Sequence, residues 1–161
     1  MKPLLTILAG LGTVLMLLPL PSCTKLALPE DHTPKEESQM PDKIQITIDG
    51  TTLSIALVDN DATQALVAAL REAPITYLAS DYGGFEKVGP LGRSLPASNS
   101  QMTTQAGDVI LYNGNQIVLF YGSNSWSYTR IGKMEYVSMD ALKSFLKVGK
   151  GNISVTLSLP H

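Results

Sequence analysis

Ile44, Ile46 and Ile48 alternate with polar residues, and beyond Asp49-Gly50 the alternation resumes at Leu53, Ile55 and Leu57. A period of two on both sides of an Asp-Gly pair predicts a β-hairpin. The period then changes. Ala62, Ala65, Leu66, Ala69 and Leu70 lie at helical offsets behind the capping side chains of Asp59-Asn60-Asp61, and Pro74 requires the helix to end near Arg71 or Glu72. Ile75 to Leu78 is a short strand candidate. From Ala79 to Ala106 the chain is rich in Gly, Pro, Ser and Asn and shows no usable period, so this stretch is either functional or a set of short unresolved strands.

Past Gly107-Asp108, Val109 to Tyr112 and Gln116 to Tyr121 flank Asn113-Gly114. Both runs are apolar on successive residues, which predicts a hairpin buried on both faces at the centre of a sheet. Ser127 to Ile131 follows as another strand. Ser138 is placed to cap a second helix carrying Met139, Leu142, Phe145 and Leu146 on one stripe, with Lys147 in its last turn and Gly149 closing it. Ile153, Val155, Leu157 and Leu159 alternate with polar residues and predict a last strand with one wet face. Many short strands with two short helices, one after the opening hairpin and one before the last strand, predict a mainly β fold: a closed barrel with helices over its ends, which also disposes of exposed strand edges.

The N-terminus has a different pattern. Met1-Lys2 and the apolar stretch from Leu4 to Leu20 have the shape of a signal peptide, residues 1–22. A membrane-spanning helix is the alternative, but the run is at the short end of the roughly 17 to 25 residues needed, and Pro19 and Pro21 break its end. It closes as Leu20-Pro21-Ser22-Cys23, which resembles the lipobox of bacterial lipoproteins, with Pro21 an unusual occupant. Cys23 is the chain's one cysteine, so no intramolecular disulfide can form, and at this position a lipid anchor is its best explanation. Thr24 rather than aspartate follows it, which in a Gram-negative host implies the outer membrane. Residues 23–42 carry Pro29, Pro34 and Pro41 among seven charged residues and have no apolar period. They form a lipidated Cys and disordered tether, holding the domain on the order of 25 Å from the lipid. The expected localisation is therefore the bacterial cell envelope, with the membrane as one partner.

Residues 43–161 suit one domain with a real core. Nine basic and nine acidic side chains cancel there, so nothing indicates a nucleic-acid surface. The chain's two histidines are His32 and His161. With neither histidine nor cysteine inside the domain, Ser-His-Asp and Cys-His nucleophile systems and histidine or thiolate zinc sites are excluded. Asp59-Asn60-Asp61 is the place to look for an all-oxygen calcium site, but the twelve-residue loop pattern is missing and capping is the favoured role. No phosphate loop is present, and Gly83-Gly84 and Gly149 to Gly151 are expected to be turns. No cofactor and no metal is expected.

The strings VDN at Val58 to Asn60, AGDVILYNGNQIVLFY at Ala106 to Tyr121, WSYTRIG from Trp126 and the ending NISVTLSL together resemble the bacterial cyclophilin-like domain family over essentially all of Lys43 to Leu159. The resemblance implies a closed eight-stranded cyclophilin-like β-barrel capped by two short α-helices. It does not extend to catalytic cyclophilins, in which an arginine weakens prolyl amide conjugation beside side chains that hold the proline ring. Their FHR-type arginine signature has no counterpart here.

Arg130, within WSYTRIG, is the first candidate for a polar anchor beside a groove. Its alternative role is a structural ion pair, with Glu86 as one partner to consider. Tyr82, Phe85, Met102, Trp126 and Tyr128 are candidate ligand-binding residues, with Tyr112 and Phe120 favoured as core and Trp126 expected to be the most exposed aromatic. Three functions compete: a tethered module binding an extended peptide or small ligand in an apolar groove without covalent chemistry, a peptidyl-prolyl isomerase acting on envelope proteins, and a purely structural role at the membrane.

Overall fold

A computed structural model describes residues 39–160. The leader, Cys23 and most of the expected tether lie outside the described residues. The tether's last four residues lie within them: the Asp42 carbonyl accepts from the Leu57 amide at 2.8 Å, and the Gln39 carbonyl accepts from the Arg71 guanidinium at 3.2 Å.

Among the described residues, nine strands and two helices follow in order. They are β1 (Lys43–Ile48), β2 (Thr51–Leu57), α1 (Asp61–Glu72), β3 (Ile75–Tyr82), β4 (Glu86–Pro90), β5 (Ser100–Thr103), β6 (Asp108–Tyr112), β7 (Gln116–Phe120), β8 (Ser125–Met134), α2 (Met139–Phe145) and β9 (Ile153–Ser158). The sheet runs β2-β1-β9-β3-β4-β7-β6-β8, and pairing of β2 with β8 closes it into an eight-stranded antiparallel barrel. The ninth strand, β5, is outside the cylinder. It pairs with Ser125 to Tyr128, the same edge of β8 that β2 occupies from Gly132 to Met134.

The hairpins form where the period predicts them because their turns suit left-handed backbone. Asp49 and Gly50 have φ of 47° and 76°, and Asn113 and Gly114 have 50° and 72°, values that two-residue hairpin loops require and that Asn, Asp and Gly tolerate best. Asn60 caps α1: its Oδ1 accepts from the Thr63 amide at 3.0 Å and the Thr63 hydroxyl accepts from the Asn60 amide at 3.0 Å, a capping box with threonine in the place usually held by glutamate. The Asn60 side-chain amide donates to the Arg130 carbonyl at 2.7 Å. Arg130 borders a β-bulge, since Val109 pairs with Gly132 and Ile110 with Arg130, leaving Ile131 as the extra residue. Asn60 thus satisfies a carbonyl at the irregularity, which ties the VDN motif to WSYTRIG.

The barrel interior holds the main core, including Ile44, Ile46, Ile55, Val109, Leu111, Ile117, Leu119, Ile131, Val155 and Leu157. Leu66, Val67 and Leu70 of α1 and Leu142 and Phe145 of α2 join it. The strand registers place the helices at opposite ends: α1 links the end of β2 to the start of β3, whereas α2 joins β8 to β9 beside the end of β3, where Ala79 pairs with Ile153. Helix α2 is shorter than expected. Lys147 lies beyond it, with φ of 49° and an ion pair to Asp49 at 3.4 Å, and Met139 is 40 % exposed rather than part of the buried stripe.

The interior also contains Lys87, which is fully buried. Its ammonium pairs with Asp81 at 2.9 Å and donates to the Lys150 carbonyl. The Asp81 carboxylate also accepts from the Tyr121 hydroxyl at 3.0 Å and the Gly149 amide at 2.9 Å. Burial raises the Asp81 pKa, but these three donors outweigh it and hold it below the ordinary carboxylate range. Burial, reinforced by the neighbouring Asp81, pushes Tyr121 up to about 12. This network fastens the segment after α2 to the inside of β3 and β4.

Candidate functional site

The hairpin β6–β7 is apolar on both faces, as its sequence predicts, and its two faces do different things. Val109, Leu111, Ile117 and Leu119 point into the barrel. Ile110, Val118 and Phe120 point outward and, with Tyr128 of β8, form a second buried cluster on the outer wall, against which Phe85, Val88, Met102 and Tyr112 pack. The aromatic rings set its shape. Phe85 stacks on Phe120 at 6.2 Å between centroids, and Tyr128 meets Phe120 edge to face at 5.8 Å and Tyr112 at 6.1 Å.

Above this cluster lies a groove of about 310 Å³, lined by Tyr82, Glu86, Val88, Tyr112, Gln116, Val118, Asn124, Trp126 and Tyr128. Strand periodicity explains the set. Glu86 and Val88 on β4, Gln116 and Val118 on β7, Tyr112 on β6, and Trp126 and Tyr128 on β8 are outward positions of four adjacent strands. Tyr82, opposite Glu86 in register, extends the wall from β3. Tyr128 is fixed by a 2.8 Å hydrogen bond that its hydroxyl accepts from the Asn124 amide. Tyr82 and Trp126 stand open to solvent at 67 % and 56 % exposure, so Tyr82 exceeds Trp126, the aromatic expected to be most exposed.

Glu86 is the unusual member. It is 6 % exposed, and its Oε2 is buried with no hydrogen-bond partner among the described residues. No lysine, arginine or histidine is among the lining residues. Burial without compensation favours the uncharged acid and raises the Glu86 pKa to about 7. Tyr128 is also raised, by burial first and by the nearby Glu86 charge to a lesser extent.

Of the residues the sequence singles out, Tyr82, Trp126 and Tyr128 line the groove, while Phe85 and Met102 support its floor and margin. Arg130 does not line it. Its guanidinium pairs with Asp108 at 2.9 Å, not with Glu86, and approaches the Met102 sulfur at 3.7 Å. Asp108 is 2 % exposed and lies on the outward side of β6 one step from Ile110, which pairs with Arg130, so the partner comes from the neighbouring strand. Tyr112, favoured as core, is half-buried and lines the groove, whereas Phe120 is fully buried. Glu86, Val88, Gln116, Val118 and Asn124 also line the groove, and the sequence does not single them out as lining. The one available signal was the doubly apolar β6–β7 run, which marks an outer face that is also covered. Asn60 acts as a cap, and among the described residues no three His, Cys, Asp or Glu side chains gather as metal ligands.

A family model described as the Cyclophilin-like family matches residues 46–158. The chain belongs to this family. Its barrel is also similar to the solution structure of the hypothetical protein AF2241 from Archaeoglobus fulgidus, with a TM-score of 0.54 and 17 % sequence identity, over 78 % of this chain and 99 % of that one. That likeness concerns the fold alone. No curated protein matches the chain. In this cyclophilin-like barrel the groove lies on the outer wall, because the interior is filled by side chains.

Proposed function

We propose that this cyclophilin-like domain is a non-covalent binding module that takes a small ligand, or the side chains of an extended peptide, in its outer-wall groove. The observation that supports the reading is the aromatic groove itself. Its volume of about 310 Å³ falls at the lower end of the roughly 300 to 1,000 Å³ of small-molecule sites, and such sites combine apolar walls with a few polar groups. The anchor belongs to the same proposal: the leader and Cys23 give an exported, lipidated protein holding the groove over a membrane of the bacterial cell envelope.

The isomerase alternative calls for a guanidinium presented to a prolyl amide. Arg130, the candidate for it, is engaged with Asp108 and lies outside the groove lining. Releasing it leaves the buried Asp108 with the Gln105 amide but without its cation, an expensive step. We therefore rank isomerase activity second and expect a protease-coupled assay to show no rate above background.

Trp126 is the chain's single tryptophan and stands at the groove mouth, so its fluorescence reports occupancy directly. Titration with small apolar compounds and with peptides, with and without proline, should produce a saturable change for at least one class. Silence across the whole panel overturns the reading.

A further inference from the structure

We infer that the groove's ligand is a small organic cation whose ammonium group meets Glu86 between the tyrosine and tryptophan rings. This rests on the binding-module reading and specifies its ligand class. Two independent observations converge on it. Glu86 is nine-tenths buried in the groove with Oε2 unpartnered, although buried carboxylates are normally paired. Among the described residues the groove offers it no cation. Around it stand Tyr82, Tyr112, Tyr128 and Trp126, and the faces of such rings attract cations most strongly where water is excluded. An acid among electron-rich rings suits a positive group and disfavours an anion.

The ligand is a free small molecule rather than a peptide strand. The groove floor is the face of β4, β7, β6 and β8, whose backbone groups are engaged in the ladders between them, so an extended chain lying there finds no main-chain partners. The volume likewise suits a compact group.

Because burial raises the Glu86 pKa to about 7, a cation that needs the carboxylate must bind more tightly above that pH than below it. The titratable groups facing Glu86 across the groove are the phenols of Tyr82 on β3, Tyr112 on β6 and Tyr128 on β8. Tyr121, just past β7, feels its charge while donating to Asp81.

The test titrates the full chain at pH 8 and pH 5.5, by Trp126 fluorescence and calorimetry, with choline, with its neutral isostere 3,3-dimethylbutan-1-ol, and with a capped Gly-Lys-Gly peptide. The charge of choline does not change over this range. The inference expects choline to bind at pH 8 at least tenfold more tightly than the alcohol, to weaken about tenfold or more at pH 5.5, and to lose a similar factor in Glu86→Gln. Equal binding of choline and the alcohol, unchanged by pH and by Glu86→Gln, overturns the cation and leaves the groove as a binding site. Binding of the lysine peptide alone overturns the free ligand. Silence from all three ligands overturns the inference, and the broader panel of apolar compounds and peptides then decides whether the binding module falls with it.

Discussion

The buried acid at Glu86 makes the domain's stability depend on pH in a direction opposite to that of a salt-bridged carboxylate. In the unfolded chain Glu86 titrates at the ordinary 4.5, and in the fold at about 7. Between those values the folded protein keeps a proton that the unfolded chain has released, so stability falls as pH rises through the interval and levels off above it. At roughly 1.4 kcal/mol per pH unit, the interval amounts to about 3 kcal/mol, a substantial part of the 5 to 15 kcal/mol that holds a domain together. Glu86→Gln keeps the shape and removes the ionisation. Urea denaturation at pH 5 and pH 8 isolates the effect, because all other titrating groups are common to both proteins. At pH 5 the folded side chains are both neutral while the unfolded glutamate is already largely ionised, so the variant is expected to lead by about 1 kcal/mol, rising to about 3 kcal/mol at pH 8. A difference between the two proteins that does not change with pH refutes the reasoning. It would mean that the carboxylate is solvated or paired in the fold.

Lys87→Met retains the bulk of the buried side chain but leaves the Asp81 carboxylate without its cation. Since Asp81 is a quarter exposed and keeps its Tyr121 and Gly149 donors, the expected loss at pH 7 is about 2–3 kcal/mol, below the 3–5 typical of a broken, fully buried pair. The lowered Asp81 pKa stabilises the wild type above the ordinary carboxylate range and ceases to do so as pH falls below it, so denaturation at acid pH should find the variant's deficit reduced. Asn60→Ala removes both the cap of α1 and the donor to the Arg130 carbonyl, at a cost of about 2 kcal/mol. Asn60→Asp keeps the cap acceptor and should lose about half as much in thermal or chemical denaturation; equal losses in the two variants would show that the Arg130 link contributes nothing.

The elements legible in the sequence are those whose inward positions are all apolar. β1, β2 and β9 alternate cleanly, and α1 has both a stripe and a cap. β4 was illegible because its inward residues are Lys87 and Gly89. The lysine is tolerated through Asp81 of the neighbouring β3 and through the Lys150 carbonyl, which comes from the segment after α2, far outside any local window. Glycine is needed because a Cβ at residue 89 would lie 2.3 Å from the Leu78 carbonyl oxygen and 2.6 Å from the Tyr77 ring. β5 was illegible for a different reason: it pairs along one edge only and is largely exposed, so it has no core face to leave an apolar period. Between β4 and β5, Leu91 and Leu95 join the main core from an irregular loop fixed to the β6–β7 turn through the Asn115 and Gly114 carbonyls.

The same logic explains which part of the site could be read. Tyr82, Trp126 and Tyr128 stand out by type alone, since large aromatics near loops are natural lining. Arg130 stands out equally, and of its two readings the structure shows the ion pair, with Asp108 rather than Glu86: a guanidinium's role depends on the nearest carboxylate, and the β8 bulge and β6 register bring Asp108 to it. The sequence points to Glu86 only as a partner for that arginine. Asp108 takes the guanidinium, and among the described residues the groove lining brings Glu86 no counter-charge. A polar group kept buried at a cost to folding, on a wall otherwise built to be apolar, is the expected mark of a site maintained for a ligand rather than for stability.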